Sequence, residues 1–266
     1  MSQKIDYNNI ISYSEIKGKI LPFDLIAFRG GDIISGIIAK LENNQVGMDA
    51  FSHVGIAVTS DILPKMNLIS GRIYIFESTL SYNIPGETDG VPDVITGSGE
   101  LGVQLRDLEE IIPRYITDEK CHVAWCKLIN NPYERKERES DEDLKFRRIN
   151  ISKKFSKIFK RYHGRMYEMD LISLFGSIFP RVRKLRTAQD DICNLIKKFW
   201  GSNDPDSGPV GWQFCSELVA NIYQAFGLIS KDFDTKDVIP IDFFGCDEDG
   251  LPILVQSPVF IKDWDY

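Results

Sequence analysis

One cysteine in the chain has the surroundings that a nucleophilic thiol needs. Cys215 lies in the segment Trp212–Val219, just after a loop rich in Gly, Pro and Asp and at the predicted start of a helix. Only a thiolate is nucleophilic, and a helix N-terminus lowers a thiol pKa because its free N–H groups and dipole favour negative charge. Cys215 is therefore the best-placed nucleophile among the five cysteines. The alternative is a small buried residue that packs the helix against a sheet.

A thiol nucleophile needs a base, and the chain offers three histidines. His122 lies in an apolar strand and His163 in a turn that ends a helix. His53 stands near the beginning of a predicted strand, Phe51–Val58, and is the preferred base. The alternative remains that His53 is structural, since a lone histidine in a strand is more often structural than catalytic.

An imidazole base works best when a third group fixes its tautomer and orientation. Glu77 is the candidate, because it lies near the end of the next predicted strand, Arg72–Ser78. If the two strands pair antiparallel, Glu77 comes to lie beside His53. A buried acid in an apolar strand is costly without a partner. The alternative is an acid that faces outward at a sheet edge.

A metal site and a disulfide framework are both disfavoured. Cys121 and Cys126 flank His122, but no second Cys/His pair lies at a useful spacing for zinc. We interpret this segment as a strand with buried thiols, and we expect neither a metal ion nor a cofactor. Five cysteines in a long chain do not indicate a set of disulfides.

The chain predicts consecutive strands without long helices between them, which is typical of an antiparallel meander in an α+β protein. The predicted strands are Leu21–Phe28, Phe51–Val58, Arg72–Ser78, Val103–Arg106, Cys121–Leu128 and Pro252–Gln256. The predicted helices are Ile33–Leu41, Ile149–Tyr162, helical pieces over 169–200 and a segment from Gln213 to Phe226, while Leu108–Tyr115 is a short helix or a turn. A mixed-charge run over residues 133–148 predicts a solvated helix face or an exposed loop.

Composition narrows the class of protein. Of 266 residues, 43% are apolar and 27% charged, which suits one large domain spanning 1–266, with a charged helical insertion around 131–200. A net charge of −7 argues against broad nucleic-acid binding, which depends on Lys and Arg. We find no apolar run long enough to cross a bilayer and no signal-peptide pattern, so we expect a cytoplasmic protein without integral membrane association.

The order of three motifs gives the sequence a family resemblance. Ser52–Val58, Phe76–Ser78 and Phe214–Val219 present a histidine, an acid and then a cysteine. This order resembles the circularly permuted branch of the NlpC/P60 papain-like superfamily, and within it a group formed by a bacterial YiiX-like family and a poxvirus protein family. Weaker similarities occur in Phe23–Phe28, His163–Glu168 and Ile239–Phe243. Glu168 departs from the family, which usually has Asp there.

The resemblance implies a papain-like α+β fold, in which an antiparallel sheet or half-barrel packs against the cysteine-bearing helix. It implies a Cys215–His53–Glu77 triad, with Tyr167 as an oxyanion donor or supporting residue, unless Tyr167 is a core aromatic. The implied activity is a cysteine hydrolase that cleaves a peptide, isopeptide or peptidoglycan-like amide through an acyl-enzyme. Two alternatives stay open: a lipid acyltransferase or phospholipase with the same triad, and a non-catalytic binding or virion-associated protein. A viral member would act in the host cytoplasm or the virion.

Overall fold

A seven-stranded sheet organises the part of the chain that the computed structural model describes, namely residues 9–29, 51–79, 91–99, 102–116, 122–165, 215–245 and 251–262. The spatial order of the strands is β1-β7-β6-β2-β3-β4-β5, and all neighbours pair antiparallel except β1 and β7. The strands are β1 Ile10–Ile11, β2 Leu25–Arg29, β3 His53–Val58, β4 Tyr74–Thr79, β5 Gly102–Asp107, β6 His122–Cys126 and β7 Val259–Ile261.

The predicted meander is confirmed, because β2, β3, β4 and β5 follow one another both along the chain and across the sheet. The predicted last strand is wrong. Within Pro252–Gln256 only Val255 forms an isolated bridge, to Leu128, and the chain joins the sheet later, at β7. Leu254 and Val255 are buried, which explains the apolar pattern. Burial alone does not make this segment a strand. The Leu254 N–H donates to the Phe243 carbonyl rather than to a neighbouring strand.

Four α-helices belong to the described residues: α1 Tyr13–Ile16, α2 Leu108–Ile116, α3 Asp141–Tyr162 and α4 Cys215–Ala225. Helix α3 starts eight residues earlier than predicted, inside the mixed-charge run. The Ser140 hydroxyl caps it by accepting the Asp143 N–H at 3.1 Å. Its first turn is acidic and its last turn basic, as the helix dipole favours.

The two faces of the sheet bury different apolar sets, because side chains alternate along each strand. One face packs against α3 and α4, and its cluster includes Leu25, Ala27, Val54, Ile56, Phe76, Phe155, Phe159, Leu218 and Tyr223. The other face packs against α1 and α2, and its cluster includes Ile26, Phe28, Ala57, Ile75, Ile111 and Ile112. A helix-covered mixed sheet of this kind is an α+β fold, as predicted.

Several sequence predictions fall outside the described residues. These include the predicted helix Ile33–Leu41, Tyr167, Glu168, Cys121 and the part of the expected insertion that follows residue 165. Among the residues that are described, no helix combines the length and apolar character needed to cross a membrane.

Candidate functional site

Strand register places three ionisable side chains in a diagonal row across β3, β4 and β5. Glu77 pairs with Gly55, and Arg106 pairs with Ile75, two residues before Glu77. Directly opposed residues share a face, as do residues two apart on one strand. His53, Glu77 and Arg106 therefore lie on the same face, and each is the diagonal neighbour of the next.

Gly55 gives Glu77 the room to cross from β4 to His53. A Cβ atom built at Gly55 would lie 2.6 Å from the Ile75 side chain and 2.9 Å from the Glu77 Cβ. Both distances are far below van der Waals contact. Glycine, which has no Cβ, is the one residue type that leaves this space free for the Glu77 side chain.

Glu77 holds the His53 ring. The His53 Nε2 lies 2.5 Å from Glu77 Oε2, in a pair where Glu77 is fully buried and the His53 side chain is 16% exposed. With Nε2–H donating to the carboxylate, Nδ1 is left to face another partner. This is the orientation that a carboxylate imposes on a histidine base.

Arg106 holds Glu77 from the other side. Its Nε–H donates to Glu77 Oε1 at 2.6 Å, so the two carboxylate oxygens face Arg106 and His53 respectively. Arg106 is 1% exposed and ranks among the largest fully buried side chains of the described residues. A buried carboxylate is thereby flanked by two cationic groups, which offset much of the cost of its burial.

Cys215 is the first residue of α4 and meets His53 where β3 begins. Helix α4 packs against β3 and β4. The His53 ring and the backbone N–H groups of Val54 and Ser216 lie close enough to the Cys215 sulfur to stabilise negative charge on it. Cys215 is 6% exposed. The structure thus brings together the three predicted residues, which the chain separates by more than half its length.

The contacts shift the acidities of the pair in opposite directions. Burial by itself raises the pKa of the Cys215 thiol, but the nearby His53 charge and hydrogen bond, with the Val54 and Ser216 N–H groups, bring that pKa below its usual value. Burial by itself lowers the pKa of His53, but the Cys215 thiolate and Glu77 raise it to about 10. The favoured state of the pair is therefore thiolate and imidazolium.

The Glu77 carboxyl is held in its ionised form. Burial works against ionisation, but the Arg106 charge, followed by the hydrogen bond and charge of His53, lowers the pKa of Glu77 below its usual range. Charges therefore alternate along the row: Arg106 positive, Glu77 negative, His53 positive and Cys215 negative. Such an arrangement can deliver a nucleophile and a proton at the same position.

The other described cysteine and a second histidine have different surroundings. Cys126 is fully buried on β6, and burial together with the Asp24 charge raises the pKa of its thiol well above the usual value. The His163 Nε2–H donates to Asp93 Oδ2 at 2.9 Å, and the His163 ring stacks on Phe159. No cysteine accompanies that pair among the described residues, where no cluster of three or more potential metal ligands occurs either.

The chain matches no known protein-family model, and no curated protein matches it in sequence. The resemblance to the permuted NlpC/P60 group therefore rests on the sequence motifs alone.

Arg106 is the residue of this site that sequence reasoning missed. It belongs to the predicted strand Val103–Arg106, where an arginine ordinarily indicates an exposed position. One signal was available, since pairing β4 with β5 antiparallel puts Arg106 on the Glu77 face. Tyr167, the predicted oxyanion or supporting residue, lies outside the described residues.

Proposed function

We propose that the protein is a cysteine hydrolase that cleaves an amide bond through an acyl-enzyme on Cys215. The observation that carries this proposal is the buried contact series Cys215–His53–Glu77, in which the cysteine and histidine favour their charged forms. Perturbed acidities that arise from specific charge partners cluster at functional sites.

The first half of the reaction uses the charges that the resting pair already carries. The Cys215 thiolate adds to the carbonyl carbon, and the electron pair of the C=O bond moves to oxygen. Backbone N–H groups near the sulfur are suited to stabilise that oxyanion, as Val54 and Ser216 do for the thiolate itself. When the C–N bond breaks, the His53 imidazolium gives its proton to the departing amine, which leaves a thioester on Cys215.

The second half restores the enzyme. His53, now neutral, takes a proton from water as that water attacks the thioester carbonyl. The thiolate departs as the carboxylic acid forms, and the imidazolium again stands beside it. Atoms and charge balance over the cycle, which consumes one water for each amide cleaved.

An amide substrate is favoured because of the leaving group. An amine is expelled only with a proton, and the resting site stores one on His53, whose pKa is raised to about 10. The alkoxide of an ester is a better leaving group than an amine anion and depends less on protonation by an acid. The peptide, isopeptide or peptidoglycan-like bonds inferred from the family resemblance are all amides of this kind.

The proposed fold is a circularly permuted papain-like domain. The supporting features are a histidine at the start of β3, an acid on the adjacent β4 and a cysteine at the first residue of a later helix that packs on both strands. In this order the cysteine follows the histidine along the chain.

Trapping the acyl-enzyme tests the proposal. The full chain is incubated with p-nitrophenyl acetate, a p-nitrophenyl ester of a long fatty acid and peptidyl p-nitroanilides, and intact mass and peptide mapping locate the adduct. We expect an initial burst and an acyl group on Cys215, with turnover of anilides and loss of both in Cys215→Ala. A long-chain ester turned over without any anilide would favour the acyltransferase or phospholipase reading. No adduct on Cys215 with any reagent would contradict the enzyme.

A further inference from the structure

We propose that Arg106 is a positioning residue of the site: it fixes the ionised Glu77 carboxylate against His53, and through it sets the charge of Cys215. Arg106 acts on the site through its buried ion pair with Glu77. The role rests on the proposed function for its chemistry, but the ion pair that it controls can be measured without any substrate.

The geometry favours an arginine over other cations. A guanidinium keeps its charge when buried and presents donors in a fixed plane. The Arg106 Nε–H meets Oε1 of Glu77 at 2.6 Å while Oε2 stays with His53 at 2.5 Å. One carboxylate oxygen is thus committed to each neighbour. Rotation of the Glu77 carboxylate away from the ring would break both contacts together.

Arg106 also has an electrostatic role, because it is the positive end of the row of alternating charges that leads to Cys215. Without it, a fully buried Glu77 would stand beside His53 alone, and burial would favour the protonated acid. A neutral Glu77 supports an imidazolium less well, so the His53 proton would return to Cys215. The Arg106 charge is the largest influence that lowers the pKa of Glu77.

A purely structural role is the competing interpretation. A buried arginine can simply pair with a buried acid, and its loss would then lower stability without changing the acidity of Cys215. The two interpretations differ in one observable, the pH profile of Cys215 alkylation.

The experiment follows the rate of iodoacetamide alkylation of Cys215 from about pH 5 to pH 9, by peptide mass spectrometry on the folded full chain. We expect Arg106→Met to lower the rate at about pH 6 by roughly tenfold or more and to move the profile toward that of an ordinary thiol. Arg106→Lys offers a cation without the planar guanidinium, so its rate should lie between those of wild type and Arg106→Met. Arg161→Met, an exposed arginine on α3, is the matched control and should behave as wild type.

A double-mutant comparison keeps the test decisive even if Arg106→Met folds poorly. Glu77→Gln combined with Arg106→Met removes both charges, so neither is left buried alone. If Arg106 acts through Glu77, adding Arg106→Met to Glu77→Gln changes the alkylation rate by less than about threefold. A wild-type pH profile in folded Arg106→Met would overturn the proposal, as would an equal loss of rate with and without Glu77. If Arg106→Met lowers the alkylation rate as expected but wild type forms no acyl-enzyme, the result would count against the proposed hydrolase alone.

Discussion

At the scale of residues, the state of Cys215 is decided by a competition between burial and nearby charge. Burial opposes a thiolate, yet His53 and two backbone N–H groups outweigh it and lower the Cys215 pKa. The thiolate is present above that lowered pKa and is lost as pH falls through it. The imidazolium, whose pKa is raised to about 10, persists until pH rises through that value. The ion pair therefore exists between the lowered pKa of Cys215 and the raised pKa of His53.

Neutralising Glu77 should weaken this pair. In Glu77→Gln the side chain can still hydrogen-bond His53, but it no longer supplies the negative charge that supports the imidazolium. We expect turnover of an activated substrate to fall by about 100-fold, within the range for loss of one acid–base component. Steady-state kinetics measure it, with Glu110→Gln, an exposed acid on α2, as the control. Turnover by the Glu77→Gln variant within twofold of wild type would contradict the role proposed for Glu77.

The triad residues could be predicted and Arg106 could not, for a physical reason. A cysteine at a helix start, a histidine at a strand start and an acid on the next strand each carry a local signal. Adjacent antiparallel strands then bring His53 and Glu77 together by register alone. Antiparallel β4–β5 pairing places Arg106 on the Glu77 face, but the burial of Arg106 depends on what covers that face, which four strand residues do not reveal.

At the scale of elements, β3 has no side chain at Gly55, the position past which Glu77 reaches from β4 to His53. Gly55→Ala places a Cβ 2.6 Å from Ile75 and 2.9 Å from Glu77, so one of them must move. Overpacking of this kind costs about 1–3 kcal/mol of unfolding free energy. We also expect slower Cys215 alkylation at about pH 6, because a displaced Glu77 holds His53 less well.

Gly18→Ala is the matched control for this substitution. A Cβ at Gly18 meets nothing within 4 Å, so its effect on stability and on alkylation should be small. Urea titration and the alkylation rate, measured on both variants, separate the effects. If Gly55→Ala left both quantities at wild-type values, the proposed clearance for Glu77 would be wrong.

Elements were predictable where local pattern and burial agree. The strands around His53 and Glu77 alternate or run apolar, and the structure has them within about two residues at each end, as is usual for boundaries. The start of α3 was missed because a charge-rich first turn has no apolar period, although Ser140 and the acidic residues after it are a cap signal. The last strand was misplaced because burial at Leu254 comes from packing rather than from a ladder.

At the scale of the whole molecule, Asp93 ties its own turn and the end of α3 to β5, the edge strand that carries Arg106. Its carboxylate accepts N–H groups from Leu105 at 2.7 Å and from Ile95 and Thr96 at 2.8 Å. It also accepts from His163 at the end of α3. Burial works against ionisation, but these bonds lower the Asp93 pKa overall.

Asp93→Asn should therefore lower stability in a pH-dependent manner. A lowered carboxyl pKa contributes stability above its unfolded value, near 3.9, and that stability is lost as pH falls through the folded value. We expect a loss of about 2 kcal/mol at neutral pH, from hydrogen bonds to a charged group, and a difference from wild type that shrinks as pH falls below about 4. Urea titrations at several pH values measure it. A constant difference across this range would contradict the assigned charge.

The α+β class and the meander followed from sequence because they depend on neighbours along the chain. The placement of α4 on β3 did not, since it joins segments separated by more than 150 residues and depends on which face of the sheet the helix covers. Only the order of the motifs linked Cys215 to His53. The order of motifs along the chain gives no distance in space, so the contact between Cys215 and His53 is seen only in the folded structure.

The pH dependence of Cys215 alkylation in the wild-type chain tests the central claim most directly. Iodoacetamide reacts with thiolates, and an ordinary thiol with a pKa near 8.5 is less than about 1% ionised at pH 6. We predict that Cys215 reacts at about pH 6 at least roughly tenfold faster than glutathione, and that His53→Ala removes this excess. A Cys215 rate that matches glutathione at every pH, or one unchanged by His53→Ala, would contradict the ion pair.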